Sequence, residues 1–381
     1  MNVYLDNAAT TPVDDAVLEA MLPYLKNVYG NPSSTHAAGR EARSAIEQSR
    51  KKVADLLGVT PAEICFTSGG TEADNTAINC TVEAFGIKHA ITSPLEHHAV
   101  LHPLEHLEKQ GRIKLHRLET DKTGSINLQQ LDELLAQHQG SLVSLMHGNN
   151  EIGNLNNLPQ IGELCSAHQA YFHSDTVQTM GHYPLNLKET PVHYAVASAH
   201  KFHGPKGTGF LYVKKNTALP PLLHGGSQER QRRGGTENVA GIVGLAKAFE
   251  LAYTDQQAHQ QHILNLKKRM ITGLQESIEG VAFNGNSMDL ENSLYTVLNV
   301  SLPPGDNNGM LLFSLDLANV AASGGSACSS GAQQGSHVLN AIGHNPERGA
   351  VRFSFSRFNT GEEVDYVVNK LAEMYNTVET S

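Results

Sequence analysis

Apolar and polar positions fall into blocks along this chain. Short apolar runs occur at His89–Thr92, Ile113–Leu118, Leu142–Met146, Ala170–Ser174, Val192–Ala197 and Thr208–Val213, with the length of buried strands. Between them, apolar residues recur at helical spacing and predict helices over Leu128–Gln137 and Leu158–His168. Upstream, a short strand at Tyr4–Leu5 runs into a turn, and helices are expected over Asp14–Leu25 and Ala37–Leu57, the latter ended by Gly58. Thr60 to Glu63 reads as a capped helical turn leading into Ile64–Thr67. This alternation predicts an α/β fold with a mainly parallel sheet covered by helices and a site at the strand C-terminal ends. Thr71, His97, Asn150, Asp175, Gln178 and Lys201 all follow predicted strands.

A helical tract of unusual length, Val239 to Ile278, carries Ile263, Leu266, Met270, Ile271, Leu274 and Ile278 on one face and is expected to link two domains. Beyond it the texture is α+β. Strands are expected at Tyr295–Val300 and Val351–Ser356, helices near Met310–Leu315 and His337–Ile342, and a capping box at Thr360–Glu363 opens a last helix. No internal repeat is evident.

The length of 381 residues suits two domains, each with its own core. A formal charge of −10, with no Lys/Arg run, argues against a nucleic-acid surface. No stretch is long and apolar enough to span a membrane, and the first residues lack a secretory pattern, so the cytoplasm is the expected location. The four cysteines lack CxxC spacing. Cys65, Cys80 and Cys165 lie in apolar-periodic segments, whereas Cys328 sits among Gly, Ser and Ala with nothing apolar to cover it.

The candidate chemistry centres on Lys201, delivered by a strand beside Ser198, His200 and a Gly/Pro turn. A lysine held and partly desolvated there is suited to Schiff-base formation. Ser198 and His200 could hold a phosphate, as could the Gly69-Gly70-Thr71 turn at a helix N-terminus. Asp175 can pair with a protonated heterocyclic nitrogen, Gln178 with a phenolic oxygen, and Arg352 with a carboxylate. Together these partners describe pyridoxal 5′-phosphate. Each residue also has an ordinary reading: Asp175 as a helix cap, Arg352 on a solvent face, His97 as one of twenty histidines, Cys328 as an idle thiol. His98, His102 and His106 have i, i+4 spacing, but Pro103 is expected to interrupt the helix, and no metal site is expected.

The segments YLDNAATTP, GNPSSTHAAGR, FTSGGTEADN, EHHAV, NNEIG, HSDTVQ, SAHKFHGPKGTG, RRGGTENVAG, SGGSACSSG and VRFSFSRFNT run nearly end to end. In their content and order the chain resembles the NifS/IscS-type cysteine desulfurases of the class V, fold-type I aminotransferase family. The resemblance implies an aspartate-aminotransferase-like architecture. A large pyridoxal-phosphate-binding domain with a seven-stranded sheet would span residues 15–255. Residues 1–14 and 256–381 would form a smaller α+β domain.

The resemblance also implies roles. Lys201 binds the cofactor aldehyde and moves the substrate Cα proton, Asp175 keeps the pyridine nitrogen protonated, Gln178 bonds the ring oxygen, and His97 stacks on the ring. Gly70, Thr71, Ser198 and His200 hold the phosphate, joined by Thr236 from the second subunit of a homodimer. Asn150 serves both cofactor and substrate, and with Arg352 and Asn31 orients the substrate carboxylate. Cys328 is the nucleophile that takes sulfur from L-cysteine, leaving L-alanine, and passes it to an acceptor or iron–sulfur scaffold protein. The segment GGSACSSGAQQGS around it is richer in Gly and Gln than in housekeeping members, yet of a length like the long-loop group. The alternative is a selenocysteine lyase or another class V enzyme.

Overall fold

In a computed structural model, which describes residues 1–324 and 335–376, the chain opens with β1 (Val3–Tyr4), α1 (Asp15–Lys26) and α2 (Ala37–Leu56). Seven strands then build the main sheet: β2 (Ile64–Thr67), β3 (His89–Thr92), β4 (Lys114–Arg117), β5 (Leu142–Ser144), β6 (Tyr171–Ser174), β7 (Tyr194–Ser198) and β8 (Gly209–Val213). Their spatial order is β2-β8-β7-β6-β5-β3-β4, and β8 alone runs antiparallel to both neighbours. The α/β class expected from the alternation is therefore what the chain adopts. Interspersed are α3 (Gly70–Phe85), α4 (His98–Lys109), α5 (Leu128–Gln137) and α6 (Leu158–Ala167), followed by the single turn α7 (Gln228–Gln231) and α8 (Val239–Thr254).

The remainder comprises α9 (Gln256–Ser277), β9 (Ala282–Phe283), β10 (Val297–Pro304), α10 (Leu311–Leu317), β11 (Val320–Ala321), α11 (His337–Ala341), β12 (Arg348–Ser354) and α12 (Gly361–Asn376). Here β12, β10 and β9 form an antiparallel sheet, while β1 pairs in parallel with β11 through Val3↔Val320. Two large apolar cores correspond to these regions. One gathers Phe66, Val143, Phe172, Phe210 and Phe249 around the main sheet. The other gathers Leu5, Ile263, Met270, Val300, Phe353 and Leu371 around the small sheet and α9.

Local signals act as their chemistry requires. Asp14 caps α1 by accepting from the Ala16 N–H, and Thr60 and Glu63 form a reciprocal box ahead of β2. Gly58, at φ +71°, ends α2 in the left-handed region that glycine favours.

Two expectations are corrected. Pro103 does not interrupt its helix, for α4 runs unbroken through it. A proline there removes the N–H that would bond the Ala99 carbonyl, and the Asn75 side chain on α3 donates to that carbonyl instead, at 3.4 Å. The tract Val239–Ile278 is two helices, broken at Asp255 (φ −124°, ψ 37°). α8 is apolar nearly all round and sinks into the first core, whereas α9 presents one apolar face to the second. A single straight helix could not serve both.

Candidate active site

The carboxyl ends of β2, β3, β5, β6 and β7 open onto a cleft of about 180 Å³. It brings together Gly70, Thr71, His97, Asn150, Asp175, Gln178, Ser198, His200, Lys201 and Arg352 from the sequence-based set. Asn31 and Thr236 do not line it. Asn31 is exposed and accepts from the Ser33 N–H, and Thr236 is exposed beside a separate cavity. Cys328 lies outside the described residues.

Lys201 ends a 3-10 turn, Ala199–Lys201, that continues β7 into the cleft. Its ammonium donates to the carbonyls of Ala8 at 2.6 Å and Ala9 at 2.9 Å, and Gln178 Nε2 donates to the same Ala8 carbonyl at 3.0 Å. The N-terminal segment thus forms one wall of the cleft. No side-chain signal could have revealed this, because the contacts are to main-chain oxygens.

At one end of the cleft α3 begins at Gly69 (φ +155°) with no side chain capping it. Its first N–H groups face the space beside Ser198, His200 and Thr71, which is the chemistry of an anion cradle. Close approach is built in: a Cβ at Gly209 would meet the Ala197 carbonyl at 2.4 Å and Gly69 Cα at 2.8 Å, so β8 can pass beneath this turn only with glycine there. His200 Nδ1 lies 3.1 Å from Thr10 Oγ1, and burial pulls its pKa down to about 4.

Another part of the cleft is acidic. Asp175 follows β6, is 7% exposed, and its Oδ1 accepts from the Val177 N–H at 2.9 Å. Burial raises its pKa, against the opposing effects of that bond and of Lys201. Asp74, one helical turn into α3, also lines the cleft and is fully enclosed. Burial, then repulsion from Asp175 and Glu96, holds its pKa well above the carboxylate range. Its Oδ1 lies 3.2 Å from His173 Nε2, within ion-pair range but misaligned for a hydrogen bond, and His173 Nδ1 in turn meets Ser144 Oγ at 2.7 Å. Glu96 accepts from the Met146 N–H and Ser93 Oγ, and burial pushes it up to about 8.

Asp74 was missed from the sequence. The available signal was an aspartate three residues past Thr71 on an otherwise buried face with Ala73 and Ala77.

His97 caps α4: its Nδ1 accepts from the Ala99 N–H at 3.1 Å. Burial foremost, then Lys201, lowers its pKa to about 4, so the neutral ring carries its proton on Nε2. Arg352, on β12, is 1% exposed and points into the protein, not to solvent. It donates to Asp6 Oδ1 at 2.7 Å and to the Asn150 carbonyl at 2.9 Å, while its Nε has no partner among the described residues.

The arrangement suits a planar, anionic cofactor with a basic ring nitrogen. It offers an uncapped helix start for a phosphate, a buried carboxylate for a cation, and an amine in the same cleft.

The sequence pattern of the family described as "Aminotransferase class-V" matches residues 3–367. The chain belongs to that family. It is 43% identical to "Cysteine desulfurase IscS" of Dictyoglomus turgidum, over 99% of this chain and 95% of the relative. It is 44% identical to "Cysteine desulfurase IscS" of Methanosarcina thermophila, over 98% and 91%. Among solved structures it is similar to a "NIFS-LIKE PROTEIN" (TM-score 0.91, 38% identity, 99% of this chain and 100% of that one). It is also similar to the structure titled "SspA in complex with cysteine" (TM-score 0.82, 33% identity, 94% of this chain and 100% of that one). Shared membership accounts for both the seven-stranded sheet and the sequence segments that run through the whole chain.

Proposed function

We propose that this chain is a cysteine desulfurase that holds pyridoxal 5′-phosphate in the cleft and moves sulfur from L-cysteine onto Cys328. The observation that carries the reading is the placement of Lys201 and Asp175 in one cleft with the uncapped start of α3. The cysteine desulfurase relatives, similar over nearly the whole chain, support it and do not favour a selenocysteine lyase or another class V specificity.

The α3 N–H groups, Thr71, Ser198 and His200 would hold the phosphate, Asp175 the pyridine nitrogen, Gln178 the ring oxygen, and Lys201 the aldehyde carbon. When bound, the cofactor supplies an electron sink for charge developing at the substrate Cα. The rest belongs to the chain. Arg352, with Nε still to be satisfied and Asn150 beside it, clamps the substrate carboxylate. The Lys201 amine takes and returns the Cα proton, and the Ala8 and Ala9 carbonyls hold it in place until then. His97, neutral and oriented by the Ala99 N–H, can accept or return a proton at the reacting groups. The Cys328 thiolate attacks the substrate sulfur, the C–S bond breaks, and the Cβ gains a proton. L-cysteine and one thiol become L-alanine and one persulfide, with atoms in balance.

The same reading has residues 15–255 as the cofactor-binding domain, with 1–14 and 256–381 as the smaller one. It includes a homodimer in which Thr236 and Asn31 reach a neighbour's site. Support comes from their exposure away from the cleft and from an apolar row on and beyond α1, namely Leu18, Leu22, Leu25 and Tyr29, left uncovered in the single chain. A sulfur-acceptor or iron–sulfur scaffold protein then relieves Cys328. No helix among the described residues is long and apolar enough to cross a membrane, which fits the cytoplasmic placement in this reading.

The test is mass spectrometry after exposure of the protein to L-cysteine. One added sulfur on the peptide carrying Cys328, with equimolar alanine and neither seen in Cys328→Ser, supports the reading. Alanine formation indifferent to Cys328 would overturn it.

A further inference from the structure

Three histidines that the sulfur chemistry leaves idle meet at the far edge of the main sheet. His89 opens β3 and His116 lies on the edge strand β4. The strands pair in parallel, His89 opposite Lys114 and Ile91 opposite His116. His89 and His116 therefore share one sheet face as diagonal neighbours. His138, immediately after α5, lies against the same pair. His89 Nδ1 is 3.0 Å from His116 Nε2. The rings of His89 and His138 stack with centroids 3.9 Å apart, and those of His116 and His138 are 4.8 Å apart. One ring nitrogen from each lies within 4.8 Å of the others, and all three residues are half-buried. The cleft lies past the other end of β3, about 10 Å or more along the strand.

The geometry points to a binding site for a divalent late first-row transition ion of the zinc class, held by His89, His116 and His138 with the fourth position left to water. Three imidazoles are a sufficient donor set for such an ion, with metal–nitrogen bonds of about 2.0–2.1 Å and donor atoms about 3.4 Å apart in a tetrahedron. His89 Nδ1 and His116 Nε2 begin closer than that and the whole set lies within 4.8 Å, so the rings must adjust to reach it. The parallel planes of His89 and His138 cannot both contain one ion, so one ring must turn about χ2, a soft terminal torsion. His138 sits at the C-terminal end of α5, where the helix dipole favours a cation. Burial first, then the neighbouring rings and Lys114, keeps the pKa values of His89 and His116 below the ordinary imidazole value, which leaves their lone pairs available. Lys114 opposes a cation. Its side chain is exposed and can swing aside, while Glu108 near His116 acts in the opposite sense. This site departs from the sequence-based expectation of no metal, which weighed only His98, His102 and His106.

The ordinary alternative is a neutral stack of rings joined by one hydrogen bond, and calorimetry separates the two. The holoprotein carrying Cys328→Ser, so that this thiol cannot compete, is titrated with Zn²⁺. The expected result is one ion per chain, at least tenfold weaker binding in His116→Ala and in His138→Ala, and a rise in Tm of roughly 2–5 °C that both substitutions abolish. In chains that keep Cys328, these two substitutions should leave cysteine turnover unchanged. Absence of stoichiometric Zn²⁺ binding would overturn the proposal. So would undiminished binding in the variants, which places the ion elsewhere, for instance at His98 and His102. If the variants fold poorly, the Co²⁺ spectrum of the Cys328→Ser protein decides: nitrogen-ligand bands without thiolate charge transfer support the site, and thiolate bands or a spectrum of free Co²⁺ refute it.

Discussion

Two groups of buried charge lie on the main α/β layer, and their surroundings treat them in opposite ways. Arg50 on α2 and Glu229 in α7 are both enclosed and meet as a fork, with contacts of 2.6 and 2.8 Å. Glu229 also accepts from the Phe66 N–H, and Arg50 donates to the Ile64 carbonyl. Every charge there is answered, and the pair pins the loop before Thr236 onto β2. Beneath the cleft, Asp74, Asp175 and Glu96 are enclosed just as deeply but are all acids that repel one another. A fully paired buried charge is an architectural fastening, whereas a like-charged group left short of partners awaits a cation from outside the chain. For these acids, that cation would be the protonated pyridine of the proposed cofactor.

The contrast can be broken by substitution. Lys201→Ala should show the largest effect, a loss of cysteine-dependent alanine formation of about 10³–10⁴-fold, with no pyridoxyl adduct trapped by borohydride. Glu229→Ala, at the fastened end, should destabilise the fold by about 3–5 kcal/mol in denaturant titrations, because Arg50 loses its buried fork partner and the Phe66 N–H its acceptor. Asp175→Asn should do the reverse of that pattern, lowering turnover roughly 10²–10³-fold with little loss of stability. Equal destabilisation by the two substitutions would erase the distinction between fastening and poised charge.

The smallest effect is on pH dependence. His97, His147, His182, His193, His200 and His203 are held at about 4 and His173 at about 3 by burial, below the ordinary 6.5. Between those values the unfolded chain binds more protons, so the stability they contribute is present above about 6.5 and is lost as pH falls toward 4. Glu96 acts in the other direction. Its folded pKa of about 8 exceeds the ordinary value, so its contribution is present at low pH and lost as pH rises through 8. Melting curves of the cofactor-free protein should therefore show stability falling as pH drops from about 6.5 toward 4, with Glu96 working against that fall. Glu96→Gln should steepen the rise of stability with pH between about 4.5 and 8.

The difference between what could and could not be read in the sequence follows the same division between side chain and surroundings. The placement of Lys201, Asp175 and His97 in the cleft was legible because each follows a predicted strand, and a strand end in an α/β fold is where a site forms. The burial of Arg352 was not, since an alternating strand has two faces and only packing chooses between them. Pro103 misled because the compensating donor, Asn75, comes from another helix. The Asp255 break was hidden inside continuous helical periodicity, and only the need to serve two cores reveals it. Asp74 went unnoticed because a carboxylate on a helix is ordinary until its neighbours are known.

The pairing of Val3 with Val320 and the bond from the Ser354 N–H to the Leu5 carbonyl tie the first residues to the last third of the chain, while Ala8 and Ala9 hold Lys201 midway along it. On the ribosome, the first residues made must wait for β11 and β12 to emerge before they can settle. During that interval the nascent main sheet can form its strands, but the wall beside Lys201 is missing. In that order of events the polypeptide would become competent for the proposed cofactor only near the end of synthesis.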